Sequence, residues 1–209
     1  MSTPADGPAR WARELLSRRP VQPDARTCGA SALVLAEACR SEAYARALVE
    51  GRVDLAAETS AMHRRVTGAV DVTGRLQTPW PRALGTPPWA AARQLAGRTG
   101  LPYRVRPLWP GVARESARAA ALAELRTAVL AGLPCPVYVG SAALPRHVLL
   151  VLAAGRGPAD PLVAHDPATG RPRRLEVPEL VSGRLGTGWP VPWFTVAPAP
   201  RPSARRTPA

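Results

Sequence analysis

The hydrophobic pattern of this chain changes between its front and back halves, and that change constrains the fold more than any other feature. In the front half, Ala, Leu and Val recur at helical spacing, whereas the back half consists of short apolar runs separated by Pro, Gly and Asp. Helices followed by strands are typical of an α+β architecture. With 209 residues, the chain is long enough for one such domain and rather short for two.

Five helices are predicted in the front half. The first begins at Cys28, where Thr27 would cap it, and runs to about Arg40 without a breaker after Gly29. Residues 68–88 contain several Pro and Gly residues and no clear period, so we expect a loop there, either a plain connection or a cover over a functional site. The other four helices are predicted at 41–49, 53–66, 89–98 and 114–131.

The back half predicts strands joined by short, turn-like links, which would pair successively by hairpins into one antiparallel sheet. The ends of the chain, 1–12 and 198–209, are polar or rich in Pro and Arg, so we expect both to be disordered, the second as a basic tail. A single domain would then cover 13–197. The predicted strands are 135–139, 147–153, 162–164, 174–177 and 191–196.

The net charge of +13 comes entirely from arginine, because the 28 basic residues include no lysine and face 15 acidic ones. Such a charge attracts nucleic acid, anionic membranes or acidic peptides. An Ala-, Arg-, Pro- and Gly-rich sequence without Lys is also what a genome-wide coding bias produces, and we favour that explanation. The Trp residues lack the regular basic interleaving of a nucleic-acid platform, so nucleic acid is not the expected partner.

The three cysteines, Cys28, Cys39 and Cys135, are an odd number in a chain that begins without an export signal. A disulfide framework is therefore not expected. Cys39 and Cys135 lie in apolar runs that are typical of core residues. Since no apolar run approaches the roughly 18 residues of a membrane span, we expect a cytoplasmic protein.

One motif delivers a cysteine to the start of an apolar helix. Residues 22–31 read Gln-Pro-Asp-Ala-Arg-Thr-Cys-Gly-Ala-Ser. At a helix start, unpaired N–H groups and the positive end of the helix dipole stabilise a thiolate, and Gly29 leaves room beside Cys28 for a carbonyl carbon. Gln22 can donate to the oxyanion that forms on attack, beside the backbone N–H of Cys28, because an amide donates without titrating.

A thiolate needs a partner that holds and returns a proton, and imidazole does so near neutral pH. Of the three histidines, His147 opens an apolar strand, whereas His63 lies in a predicted amphipathic helix. If the His147 strand and the next one form a hairpin, Asp166 approaches His147 and orients its ring. His165 is the main competitor for the base, but strand alternation puts it on the face opposite Asp166.

The ordered series of Gln22, Cys-Gly at 28–29, the strand opened by His147 and Asp-Pro-x-x-Gly at 166–170 resembles the bacteriocin-processing cysteine peptidases of the papain-like clan. The resemblance implies a papain-like fold, in which the nucleophile at a helix start packs on a C-terminal antiparallel sheet. It also implies cleavage of a peptide bond, as in the removal of a leader segment, without a cofactor.

By motif position, the resemblance implies that Cys28 is the nucleophile, His147 the base, Asp166 its orienting partner and Gln22 an oxyanion donor. Thr27 departs from the family, whose members often have an acidic residue at this place. The separation of nucleophile and base, 147 minus 28 or 119 positions, is also longer than in compact leader peptidases. Many members are fused to a membrane exporter, so a partner protein or exporter is compatible with this chain.

The sequence leaves several alternatives open. The same residues can pass an acyl group to an amine, as a transglutaminase-like enzyme does. An inactive papain-like module would bind a peptide in its groove, and an arginine-driven nucleic-acid binder would lose affinity steeply with added salt. Cys28, His147 and Asp166 could also gather around a metal, although the scattered cysteines lack the close paired spacing of a zinc site.

Overall fold

The computed structural model describes residues 9–186 and 188–199. This part of the chain forms seven α-helices and six β-strands, which confirms the α+β class. The helices are α1 (Arg10–Ser17), α2 (Cys28–Ala38), α3 (Glu42–Val49), α4 (Leu55–Thr67), α5 (Pro88–Thr99), α6 (Glu115–Leu130) and α7 (Val177–Ser182). The strands are β1 (Tyr103–Pro107), β2 (Cys135–Gly140), β3 (Pro145–Ala154), β4 (Leu162–Asp166), β5 (Arg171–Leu175) and β6 (Val191–Pro198).

All six strands form one antiparallel sheet, in the order β1-β6-β2-β3-β4-β5. Strands β2 to β5 pair successively, as predicted. The prediction of successive pairing is wrong for β6, which lies between β1 and β2. Because β1 was not predicted, the sequence offered no second partner for β6, and in the structure both of its edges are paired.

Helices cover both faces of the sheet, since the side chains of each strand alternate between two cores. Val148 and Leu150 of β3 pack on the face covered by α2, whereas Leu149 and Val151 pack on the face covered by α6. Helix α2 buries ten of its eleven residues because α3, α4 and α5 surround it on the sides away from the sheet. The first residue of α2 is Cys28, so the fold fixes this position firmly.

Three elements were missing from the sequence prediction: α1, β1 and α7. Helix α1 begins inside the segment 1–12 that was expected to be disordered, because Ala12, with 1% of its surface exposed, packs into the core. Strand β6 includes Pro198, the first residue of the expected tail. The remainder of the two expected disordered ends, at 1–8 and 200–209, lies outside the described residues.

Residues 171–185 also differ from the prediction of a strand at 174–177. Strand β5 lies earlier, and Val177 begins α7, in which Pro178 occupies the first turn, where its missing N–H costs nothing. The loop prediction for residues 68–88 is confirmed, apart from an isolated bridge, the short 3-10 turn Arg82–Leu84 and Pro88, which begins α5. Among the described helices, none has the length and apolar character needed to cross a bilayer.

Candidate active site

Cys28 is the first residue of α2, and 6% of its surface is exposed. Thr27 occupies the N-cap position, but the prediction that its side chain caps the helix is wrong. The Thr27 hydroxyl instead donates to the carbonyl oxygen of Asp24 at 3.1 Å, within the turn that leads into the helix. The first-turn N–H groups are therefore free of a capping side chain, and Cys28 lies at the positive end of the helix dipole.

Gly29 is required by a close approach of the loop at 68–88. A Cβ on this residue would lie 2.6 Å from Cβ and 2.8 Å from Oγ1 of Thr86, which is itself buried. Thr86 therefore rests directly on the helix backbone next to Cys28. The loop at 68–88, expected from the sequence to be a plain connection or a cover over a functional site, thus supports the start of α2.

We expect Gly29→Ala to lower the free energy of unfolding by about 1–3 kcal/mol, because the added methyl group overpacks this contact. Urea denaturation measures the loss. Thr86→Gly should restore most of it in the double variant, whereas Thr86→Ser should not, because serine retains the Cβ that makes the closest contact. Equal losses from Gly29→Ala in all three Thr86 backgrounds would contradict this explanation.

The imidazole of His147 and the carboxylate of Asp166 form a buried pair. His147 Nε2 lies 2.7 Å from Asp166 Oδ1, and both residues expose less than a twentieth of their surface. Since a carboxylate can only accept, Nε2 carries the proton and Nδ1 is the ring nitrogen left for Cys28. The hairpin of β3 and β4 brings the two residues together, because the start of one strand lies beside the end of the other.

The protonation of this pair follows from its neighbours. Burial alone would lower the pKa of His147, but the hydrogen bonds and negative charge of Asp166 and Cys28 outweigh burial and raise the pKa to about 9. Burial opposes ionisation of Asp166, yet His147, the N–H of Ala168 and the guanidinium of Arg173 together hold its pKa below the ordinary value. The site therefore favours an imidazolium next to an ionised carboxylate.

Two further residues contact the pair, and neither was predicted. Arg173 of β5 donates to Asp166 Oδ2 at 3.3 Å, and Trp189 stacks on the ring of His147 with centroids 5.9 Å apart. Arg173 lies opposite Ala164, on the face that Asp166 shares, so alternation along β5 could have indicated it. No local pattern could have indicated Trp189, which reaches His147 from the segment before β6.

Gln22 lies on the loop before α2. Its backbone N–H donates to the carbonyl oxygen of Pro167 at 2.8 Å, and its Nε2 donates to that of Asp24 at 2.6 Å. The same Asp24 oxygen accepts from the backbone N–H and the hydroxyl of Thr27. The Gln22 amide is thus held on the turn that leads into α2, with one of its two amide hydrogens engaged by Asp24.

Comparisons of the chain with protein-family models, with curated proteins and with solved structures found no match. The chemical groups of the site are a thiol at a helix start, a charged imidazole, a carboxylate and a nearby primary amide.

The remaining candidates from the sequence lie apart from this set. His165 points to the other side of β4 and contacts Pro20, and His63 lies on α4, where burial lowers its pKa. All three cysteines are free, and burial raises the pKa of the Cys39 thiol to about 12 and that of Cys135 further. Within residues 9–186 and 188–199, no group of three or more His, Cys, Asp and Glu residues is arranged to hold a metal ion.

Proposed function

We propose that this protein is a cysteine peptidase with a papain-like fold, which cleaves a peptide bond through an acyl-enzyme on Cys28. The observation that carries the proposal is the 2.7 Å contact between His147 Nε2 and Asp166 Oδ1. That contact turns the other ring nitrogen toward a thiol at the start of a buried helix. A nucleophile, its base and a group that orients the base are the parts that covalent acyl transfer requires.

The reaction proceeds in two steps. The Cys28 thiolate attacks the carbonyl carbon, and the oxyanion that develops accepts hydrogen bonds from the Cys28 N–H and the Gln22 amide. As the C–N bond breaks, His147 Nδ1 gives its proton to the leaving amine, which leaves a thioester on Cys28. Water then loses a proton to His147 and attacks the thioester, and the sulfur leaves as a thiolate, which releases the acid and restores the thiolate–imidazolium pair.

The substrate class under this proposal is a peptide, including a leader segment removed from a precursor. Acyl transfer to an amine differs only in the second step, in which an amine replaces water as the attacking group. A peptide groove without turnover is the alternative from a different class. This alternative predicts that Cys28 reacts with alkylating reagents no faster than an ordinary cysteine does.

We expect iodoacetamide, a probe small enough for a thiol with 6% exposure, to label Cys28 rapidly at pH 6. His147→Ala should slow this labelling at least about 10-fold at pH 6, because the imidazolium that stabilises the thiolate is lost. Cys39 and Cys135 should stay unlabelled under these conditions, because burial raises both of their pKa values. Intact mass and peptide mapping across pH 5–10 measure the rates.

Cys39→Ala is the matched control, since it removes a thiol that lies outside the site. Its labelling profile should equal that of the native protein. Slow labelling that follows an ordinary thiol titration and is unaffected by His147→Ala would refute the peptidase and favour a silent peptide-binding module.

A further inference from the structure

The loop before α2 is joined to the end of β4 and the turn that follows it by three separate contacts. His165 Nε2 lies 3.1 Å from the carbonyl oxygen of Pro20, and the N–H of Gln22 donates to Pro167 at 2.8 Å. Gly170 has a φ of +68°, and an added Cβ there would collide with the carbonyl group of Arg19. Segment 19–22 and turn 166–170 therefore form one packed unit.

His165 is the side chain that fastens this unit from the strand. It is 3% exposed, and its partner Pro20 is also buried. A carbonyl oxygen only accepts, so Nε2 carries a proton, and burial lowers the pKa of His165, which keeps the ring neutral. Loss of this donor would leave the Pro20 carbonyl buried without a side-chain partner, which is costly enough to move the loop.

The unit links the two ends of the candidate site. Asp166, which orients His147, begins the turn on one side, and Gln22 sits two residues after the fastened Pro20 on the other. A shift of the loop would therefore displace the Gln22 amide relative to the pair while leaving α2 in place, because α2 is held by its own core contacts.

We propose that His165 is a positioning residue, which holds the Gln22 amide in the oxyanion-binding position through its hydrogen bond to Pro20. This inference rests on the proposed function, in which Gln22 donates to the oxyanion. His165 is thus neither the base nor a core residue alone. Its effect should be confined to steps in which negative charge develops on the substrate oxygen.

Two reagents separate such steps from general damage. Acylation of Cys28 by p-nitrophenyl acetate passes through an oxyanion, whereas alkylation by iodoacetamide displaces iodide without one. His165→Leu retains the side-chain volume but cannot donate. We expect it to slow acylation by about 10-fold, a fraction of the loss that follows complete removal of an oxyanion donor, and to leave alkylation within about 2-fold of the native rate.

The matched variant is His165→Gln, whose Nε2 donates from nearly the same position as the imidazole Nε2 and should restore acylation. His165→Asn, with a shorter reach, should not, and this pair keeps the test open if the leucine variant does not fold. Gln22→Ala measures the full loss of the donor. The double variant His165→Leu/Gln22→Ala should acylate no more slowly than Gln22→Ala, because both changes remove the same interaction.

If His165→Leu slows acylation and alkylation equally, the residue has a purely structural role and the inference is overturned. An acylation rate equal to that of the native protein would also overturn it. If Gln22→Ala is acylated as fast as the native protein, both the inference and the oxyanion role of Gln22 are overturned. Fast alkylation of Cys28 that depends on His147 would still support the peptidase proposal in that case. If no variant is acylated, amide hydrogen exchange decides. Faster exchange of the amides of Val21, Gln22 and Asp24 in His165→Leu, but not in His165→Gln, supports the positioning role, and unchanged exchange overturns it.

Discussion

Replacing Cys28 with alanine should remove peptide cleavage almost completely, with a fall in kcat of at least about 10⁴-fold. In the proposed mechanism the Cys28 thiolate forms the covalent intermediate, and Cys28 is the thiol that hydrogen-bonds to His147. A proteome-derived peptide mixture, digested with native protein and analysed by mass spectrometry, provides the assay. New peptide ends should appear with the native protein and be absent with Cys28→Ala.

Cys39→Ala controls for the removal of a thiol and should produce the same new ends as the native protein. Cys28→Ala should also retain its fold, since the change takes away one sulfur atom at a helix start, and circular dichroism checks this. Identical cleavage by native protein and Cys28→Ala would show that the activity belongs to another group or to a contaminant, and the peptidase proposal would fail.

The second large effect concerns pH. Because the pKa of His147 is raised to about 9, the proposed proton donor stays charged up to that pH, and kcat/KM should fall as the pH rises through about 9. Asp166→Asn retains an acceptor for Nε2 but removes the negative charge. The alkaline limb of the variant should therefore move down by about 1–3 pH units, and activity at pH 9 should fall by at least about 10-fold.

Asp54→Asn is the matched control, because Asp54 caps α4 through the N–H of Ala57 and asparagine caps equally well. Its pH profile should not change. An alkaline limb that stays at the native position in Asp166→Asn would show that the carboxylate charge does not reach His147, contrary to the contact described above.

Thermal melting offers a second measurement of the same coupling. The pKa of His147 lies above its ordinary value of 6.5, so this residue stabilises the fold fully below pH 6.5 and loses that contribution as the pH rises through about 9. The pKa of Asp166 lies below its ordinary value of 3.8, so its contribution is present above pH 3.8 and lost in stronger acid. The pair should therefore stabilise the native protein most between pH 3.8 and pH 6.5, where both contributions are present, and it should contribute little in Asp166→Asn.

Much of the candidate site could be predicted from the sequence because its residues stand at element boundaries. Cys28 begins a helix with a clear apolar pattern, and His147 and Asp166 stand at facing ends of a hairpin. The contact between the last two follows from strand pairing alone. Trp189 and Thr86 could not be predicted, since they reach the site from irregular segments whose paths depend on tertiary packing.

The fold was predictable where elements are long and apolar, and less so where they are short and rich in arginine. Strand β1 has five residues with Arg104 and Arg106 between apolar neighbours, a weak signal bounded by prolines. Helix α1 is similarly short, and its arginines mask the buried positions Ala12 and Leu15. Without β1, the interior place of β6, between β1 and β2, could not be deduced, because pairing between distant segments leaves no local pattern.

The position of β6 determines the order in which the sheet can assemble during synthesis. Val196 pairs with Val105 of β1, and Thr195 pairs with Val137 of β2, so these two parts of the sheet remain apart until β6 leaves the ribosome. The segment just before β6 also brings Trp189 onto His147. A nascent chain thus carries Cys28 and His147 before its sheet is complete, because β1 joins the strands that hold His147 only when β6 has left the ribosome.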